Sequence, residues 1–269
     1  TYDIADLTGE EIALIIAKEE LDAYIEELGI VEHAAVPELG QYATAAYTAL
    51  LNAKDAETVE AIETAIENFK RSKNLPVFMI SGVINYANGK SIYDDNDGSL
   101  NFKATNKWDK TMWWALDMTS TTIGVTEEVG IYNVGTGNGF WGASSIKITE
   151  TSDNGVAGIP DDGIFLFYTT GNGTPIHYQA SDQSIVRYGS TEANSGSAHI
   201  FTYIGNTYDI ADITEEEIAL IIAKENLDAY IAELGIVDHA AVPALGQYTT
   251  AAYNALLDAK NAATVDEIS

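Results

Sequence analysis

Residues 1–59 read TYDIADLTGEEIALIIAKEELDAYIEELGIVEHAAVPELGQYATAAYTALLNAKDAETV, and residues 207–265 read TYDIADITEEEIALIIAKENLDAYIAELGIVDHAAVPALGQYTTAAYNALLDAKNAATV, with no gap between the two. Carried to the last residue, the alignment spans 63 positions with 49 identities and 14 differences, so a unit of 206 residues recurs within the 269-residue chain. One complete unit is followed by the opening of a second, and the expected parent is a tandem array.

Helix signals inside the repeat are local. Thr8 and Glu11 form a capping box ahead of Ile12, Ile15, Ile16, Tyr24, Ile25 and Leu28, and Gly29 closes that helix. Pro37 sits where a first helical turn accepts it, before a second helix with Leu39, Tyr42, Ala46, Leu50 and Leu51 on its apolar face. Asp55 is placed to cap a third, whose Val59, Ile62, Ile66 and Phe69 fall three and four apart and whose end carries Lys70, Arg71 and Lys73 against the dipole. Three amphipathic helices with short connections predict an antiparallel bundle over residues 1–76. The second copy, 207–269, breaks off before its third helix. At about 25 cal/mol per Å² of apolar area, the missing stripe costs several kcal/mol, so that copy is expected to be labile or to borrow a partner.

From about residue 77 the texture changes. NGK, DDNDG, GTGNG, SDNG, PDDG and TGNG mark turns roughly every ten residues, which predicts an all-β domain over 77–206. YANGKSIYD, VGTGNGFWG and QASDQSIVRY share a local pattern with anchors at Ile92, Phe140 and Ile185, and each precedes an aromatic strand: MWWALDM, IFLFY and HIFTYI. Three such units resemble a β-trefoil, with a β-sandwich as the rival fold.

Two family resemblances follow from these runs. AKEELDAYIEELGI (17–30) and LLNAKDAETVEAIETAI (50–66) are similar to the GA module, the three-helix albumin-binding domain of bacterial surface proteins, although VEHAAVPELGQYATAAY between them is longer than that family's connection. The three β units resemble the ricin-type lectin modules of secreted bacterial proteins, without their Gln-x-Trp. The resemblance implies a sugar-binding β-trefoil flanked by three-helix bundles. The expected class is therefore multidomain α plus β: a three-helix bundle, a β-trefoil-like domain, and a truncated second bundle.

Chemistry is sparse. The chain has no cysteine, which removes disulfides and thiolate metal sites, and it contains no GxSxG, HExxH, P-loop or GxGxxG before a helix. No cofactor or catalytic activity is expected. His33 and His239 occupy one repeat position beside a proline turn, while His177 and His199 fall in predicted strands without an evident acidic partner. The run Asp94, Asp95, Asn96, Asp97, Gly98 offers oxygens to calcium, but its spacing fails the EF-hand pattern, and a hairpin turn requires the same residue types. Asp95 and Asp97 remain candidate ligand contacts, with no metal assigned.

Aromatic residues are the best lead, since sugar recognition stacks ring faces on Trp with polar groups fixing the hydroxyls. Trp108, Trp113, Trp114 and Trp141 all lie in the β region. Alternation in MWWALDM puts Trp114 in the core and leaves Trp113 exposed or covered by a neighbouring module. Trp108, Trp113 and Trp141 are the candidate stacking residues.

The net charge is -28, shared as -11 for residues 1–76, -7 for 77–206 and -10 for 207–269. So even a spread reads as a solvated surface that keeps an array soluble, and it disfavours nucleic acid and anionic lipid as partners. No apolar run approaches the ~20 residues of a membrane span. The combined expectation is a non-catalytic extracellular or cell-surface repeat that binds a glycan or a host surface protein, adhesin-like, with its neighbouring repeats as further partners. A purely structural stalk, or an accessory region of a secreted enzyme, are the alternatives.

Overall fold

Thr8 starts the first helix through the box its sequence predicts: its hydroxyl accepts from the Glu11 amide at 3.2 Å while the Glu11 carboxylate accepts from the Thr8 amide at 2.8 Å. Those hydrogen bonds hold the Glu11 carboxyl below its usual value. The computed structural model to which this helix belongs describes residues 7–83, 87–96, 99–150, 164–169, 173–182, 184–187, 195–235 and 238–268. They divide into two units, Thr1–Ala211 and Asp212–Ser269.

In the first unit, α1 (Gly9–Leu28) ends at Gly29, whose φ of 61 suits a residue without Cβ. The chain does not enter a helix at Pro37. Instead β1 (His33–Ala34) and β2 (Tyr42–Ala43) form a two-residue parallel bridge. The Tyr42 and Ala43 amides are committed to Glu32 and Ser72 carbonyls at 2.9 and 3.2 Å, so α2 begins only at Thr44 and runs to Asn52. After a 3-10 turn at Ala53–Asp55 comes α3 (Val59–Arg71), capped by Thr58 and not by Asp55.

The apolar stripe of α3 does what its spacing predicts. Ile62 and Phe69 are buried with Ala17, Leu21, Leu50 and Ala53, and the Tyr42 ring stacks on Phe69 at 4.3 Å. Burying one such aromatic side chain contributes about 3 kcal/mol. α3 packs on both α1 and α2, while those two meet mainly through the 3-10 turn.

The β region comprises β3 (Pro76–Gly82), β4 (Lys90–Asp94), β5 (Leu100–Ala104), β6 (Trp114–Leu116), β7 (Thr126–Asn133), β8 (Ser145–Glu150), β9 (Phe165–Thr169), β10 (Thr174–Gln179), β11 (Ser184–Arg187) and β12 (Ala198–Asn206). Six of them close an antiparallel barrel in the order β3, β6, β7, β8, β9, β12 and back to β3. Alternate residues fill one core: Phe78 and Ile80, Trp114 and Leu116, Val129 and Ile131, Ile146 and Ile148, with Phe167 between them. The β4–β5 pair attaches to β3, and the β10–β11 pair attaches to β9.

The fold expectations are corrected accordingly. The β-trefoil expectation, in which three like units each supply a strand pair, gives way to a closed six-stranded barrel with four extra strands. Where the middle unit was expected to match the other two, the loop between β7 and β8 carries a single bridged pair, Phe140 with Ala143. The physical reason is composition: VGTGNGFWG carries four glycines in nine residues, and its positive φ at Gly137, Trp141 and Gly142 makes turns where YANGKSIYD supplies β4. Nor is there a succession of bundle, trefoil and bundle, or a free-standing GA-like module: α1 to α3 and the barrel form one unit.

Inside that unit the chain enters and leaves the barrel side by side. Pro76 of β3 is the register partner of Asn206 of β12, and a short helix, α4 (Thr207–Ile210), follows. The buried Thr207 hydroxyl donates to the Lys73 carbonyl at 2.9 Å and accepts from the Leu75 amide at 2.9 Å, while the Thr207 amide donates to the Leu75 carbonyl at 2.8 Å. The buried Asn74 amide donates to the Pro37 carbonyl at 2.7 Å, and Lys73 pairs with Asp117 at 2.6 Å.

The second unit repeats the first copy's details. α5 (Glu215–Leu234) starts at a Thr214–Glu217 capping box, β13 (His239–Ala240) bridges β14 (Tyr248–Thr249), and α6 (Thr250–Asp258) follows. His239 stacks on Tyr253 at 4.5 Å and meets the Thr250 hydroxyl at 3.1 Å, as His33 does with Tyr47 at 4.6 Å and Thr44 at 3.0 Å. Both histidines therefore sit in the short parallel bridges, β1 and β13, that precede α2 and α6. Among the described residues no helix is long and apolar enough to cross a membrane.

Candidate functional site

The loop between β7 and β8 is organised by the buried Asn133. Its side-chain oxygen accepts from the Gly135 and Thr136 amides at 2.9 and 3.0 Å, its amide nitrogen donates to the Thr111 carbonyl at 2.7 Å, and its backbone bonds Gly137 and Asn138. Asp94, at the end of β4 and 1% exposed, accepts from the Thr136 hydroxyl and, at 2.8 Å, from the Asn138 amide. A buried carboxylate so satisfied locks the loop to β4. At the loop's other end the Phe140 and Ala143 backbones exchange two hydrogen bonds of 2.9 and 3.0 Å around Trp141 and Gly142.

That two-residue turn has positive φ at both centres, 50 for Trp141 and 71 for Gly142. Turns of this kind favour Asn or Asp followed by Gly, and a bulky residue in the left-handed region costs about 1–3 kcal/mol. Trp141 occupies the place of the favoured Asn. Its indole is half-buried, edge-on to Phe140 at 6.1 Å, with the Arg187 guanidinium 5.4 Å from the ring centroid and donating to the Trp141 carbonyl at 3.2 Å. Arg187 ends β11, so the ledge draws on the barrel loop and the β10–β11 pair together.

The other candidate residues are distributed differently. Trp113, read from alternation as exposed or covered, is 1% exposed and donates its indole N–H to the Lys107 carbonyl at 2.8 Å. It precedes β6, at the end of a 3-10 turn over Lys110–Met112, where strand alternation does not apply. Trp108 is half-buried, with the Lys107 ammonium 4.9 Å from its ring centroid and its indole N–H buried without a partner. Asp95 is exposed, its amide closing the β4–β5 turn on the Ser99 carbonyl at 3.0 Å. Asp97 lies outside the described residues, as do Asp161 and Asp162. Among the described residues no three His, Asp or Glu side chains stand close enough to hold a metal ion. Sequence reading missed Arg187 and weighed Asp94 only as a calcium ligand or turn residue; Arg187 is one of only two arginines in the chain, which is the signal that was available.

A second polar cluster lies beneath β12. The fully buried His199 meets the Ile176 carbonyl through Nε2 at 3.0 Å, which assigns the proton to that nitrogen, and its Nδ1 has no partner. Burial pushes its imidazole down to about 3, the Ile176 bond opposes this, and neighbouring His177 adds to the lowering. His177, itself lowered by burial, bonds Ser197 at 3.2 Å, and burial raises the Tyr178 hydroxyl well above its usual value. With Ser197 and His199 wholly buried, this cluster is part of the core.

No family model and no curated protein sequence matches the chain. Among solved structures it is similar to a GlcNAcα1-4Gal-releasing endo-β-galactosidase from Clostridium perfringens, with a TM-score of 0.34 and 15% identity over 48% of this chain. The match spans 33% of that chain's length. The closed barrel, joined with α1 to α3 in one unit, sets aside both the GA-module and the ricin-type resemblance, and the expectation of a non-catalytic chain is withdrawn with them.

Proposed function

We propose that the barrel unit binds carbohydrate at the ledge formed by Trp141 and Arg187, as part of a secreted or surface-displayed repeat protein. The observation that carries this reading is the presence of Trp141 in a turn that folds better with Asn. Strain of that kind, fixed by the Asp94 and Asn133 network, serves to present a half-exposed indole in one orientation. The ring face suits the apolar side of a pyranose, and guanidinium donors beside it suit hydroxyl or carboxylate oxygens. The even acidity of the surface fits a soluble array whose units do not self-associate by charge.

The test is a glycan array probed with the whole chain and with Trp141→Asn. The variant relieves the backbone, so it is expected to unfold no earlier than the parent while losing roughly tenfold or more in affinity. Binding unchanged in Trp141→Asn, or no glycan bound by the parent chain, refutes the reading.

A further inference from the structure

Arg187 stands apart from the cations around it. Arg71, the only other arginine, pairs with Glu67 at 3.3 Å, and Lys73, Lys103 and Lys147 reach Asp117, Asp109 and Glu127 at 2.6 to 2.8 Å. Arg187 donates instead to a backbone carbonyl, that of Trp141, and among the described residues no carboxylate pairs with it, although the chain has 41 acidic residues. Its guanidinium lies over the Trp141 ring, 5.4 Å from the centroid, and the two contacts together hold it at the exposed end of β11. A Cβ added at Gly142, the residue after Trp141, would meet nothing within 4 Å, so the turn that carries the indole opens onto free space.

We infer that the ledge selects pyranoses that carry a carboxylate, sugars of the uronic acid class; this rests on the reading of the ledge as a carbohydrate site. A guanidinium has five N–H donors, of which one is spent here on the Trp141 carbonyl. The four left suffice for a two-bond fork to a carboxylate, which is stronger than bonds to hydroxyls because both partners are charged. A ligand hydroxyl needs no more than a neutral amide at this place; the positive charge is used only by an anion. Because the indole and its carbonyl already hold the guanidinium, little side-chain freedom is lost on binding. In a uronate the carboxylate is borne by the ring itself, so one rigid ligand meets indole and guanidinium together. The net charge of -28 repels anions over long range, but at physiological ionic strength that field is screened beyond about 8 Å, whereas the fork acts at contact.

The experiment titrates the whole chain, by NMR, with matched saccharides ending in a uronate (glucuronate and galacturonate), in its methyl ester, or in the parent neutral sugar. The reporter is the indole N–H resonance of Trp141, identified by its loss in Trp141→Asn. The uronates are expected to bind roughly tenfold or more tightly than either uncharged form. Arg187→Gln, which keeps a donor but no charge, should bring that ratio down to about one, and Arg187→Lys, a point charge without the fork, should retain only part of it. A ratio near unity in the parent chain overturns the inference and leaves the carbohydrate reading standing, and so does a ratio that survives Arg187→Gln. A 6-sulfated glucose bound as tightly as the uronates also overturns it, since any anion would then serve. If no saccharide of any kind moves the Trp141 resonance, the carbohydrate reading itself falls, and this inference with it.

Discussion

Lowering the pH from 7.5 to 5 should destabilise the barrel through His199. An unfolded histidine takes up its proton near 6.5, whereas burial holds His199 in the folded barrel down to about 3. Between those values the unfolded state binds a proton that the folded state refuses, so stability is complete above 6.5 and falls as pH falls. At about 1.4 kcal/mol per pH unit, the loss by pH 5 is about 2 kcal/mol, and His177, also lowered by burial, acts in the same direction. Carboxylates titrating near 4 contribute little above pH 5. Urea unfolding read by tryptophan fluorescence isolates the barrel, since all four tryptophans lie between residues 108 and 141. His199→Gln keeps a hydrogen-bond donor without a charge. It should be less stable than the parent at pH 7.5, having lost ring packing against Phe167 and Tyr178, and yet lose about 2 kcal/mol less on going to pH 5. Equal pH slopes for parent and variant would refute the assignment of that slope to His199.

Other substitutions probe separate parts of the architecture. Gly196→Ala would place a Cβ 2.2 Å from the His177 ring, and it should cost about 1–3 kcal/mol or prevent folding, read as a lowered urea midpoint. Asp94→Ala strips the Thr136 hydroxyl and the Asn138 amide of their acceptor; a loss of about 1–3 kcal/mol in urea unfolding is expected, together with weaker binding at the Trp141 ledge. Thr207→Val removes both bonds of its hydroxyl at the mouth of the barrel and should speed amide exchange at Leu75 by roughly tenfold. Leu21→Ala, in a covered core, should cost about 2–5 kcal/mol, and Leu227→Ala at the aligned position less, by differential unfolding of the two units.

The helices were legible because their signals are local. A Thr–Glu box, a glycine stop and a three-four stripe act within a few residues of one another, and Thr8, Gly29 and Phe69 behave as their spacing requires. Where a distant backbone competes, the reading fails: Pro37 and Leu39 precede a bridge, because the Tyr42 and Ala43 amides find carbonyls at Glu32 and Ser72. The strand-rich texture of the β region was likewise readable from its turns, but strand order was not, since closure depends on β12 pairing with β3 across more than a hundred residues. Trp113 misled because a 3-10 turn resets the alternation one residue before β6. Trp141 stood out by residue type alone. Its conformation and its partner Arg187 come from a turn geometry and a contact 46 residues away that no pattern in the sequence announces.

The pairing of Pro76 with Asn206 has a consequence for how such a chain can be edited. Neighbouring antiparallel strands lie about 5 Å apart, so the barrel's first and last residues are nearly as close as two consecutive links of a chain. To the helical repeat, the 131 residues from 76 to 206 amount to a side branch inserted at one point. Splicing Leu75 directly to Thr207 leaves almost no gap to bridge, and a different domain whose ends lie equally close could be exchanged there as a cassette. The cargo of that branch can then change while Leu75 and Thr207 stay where they are.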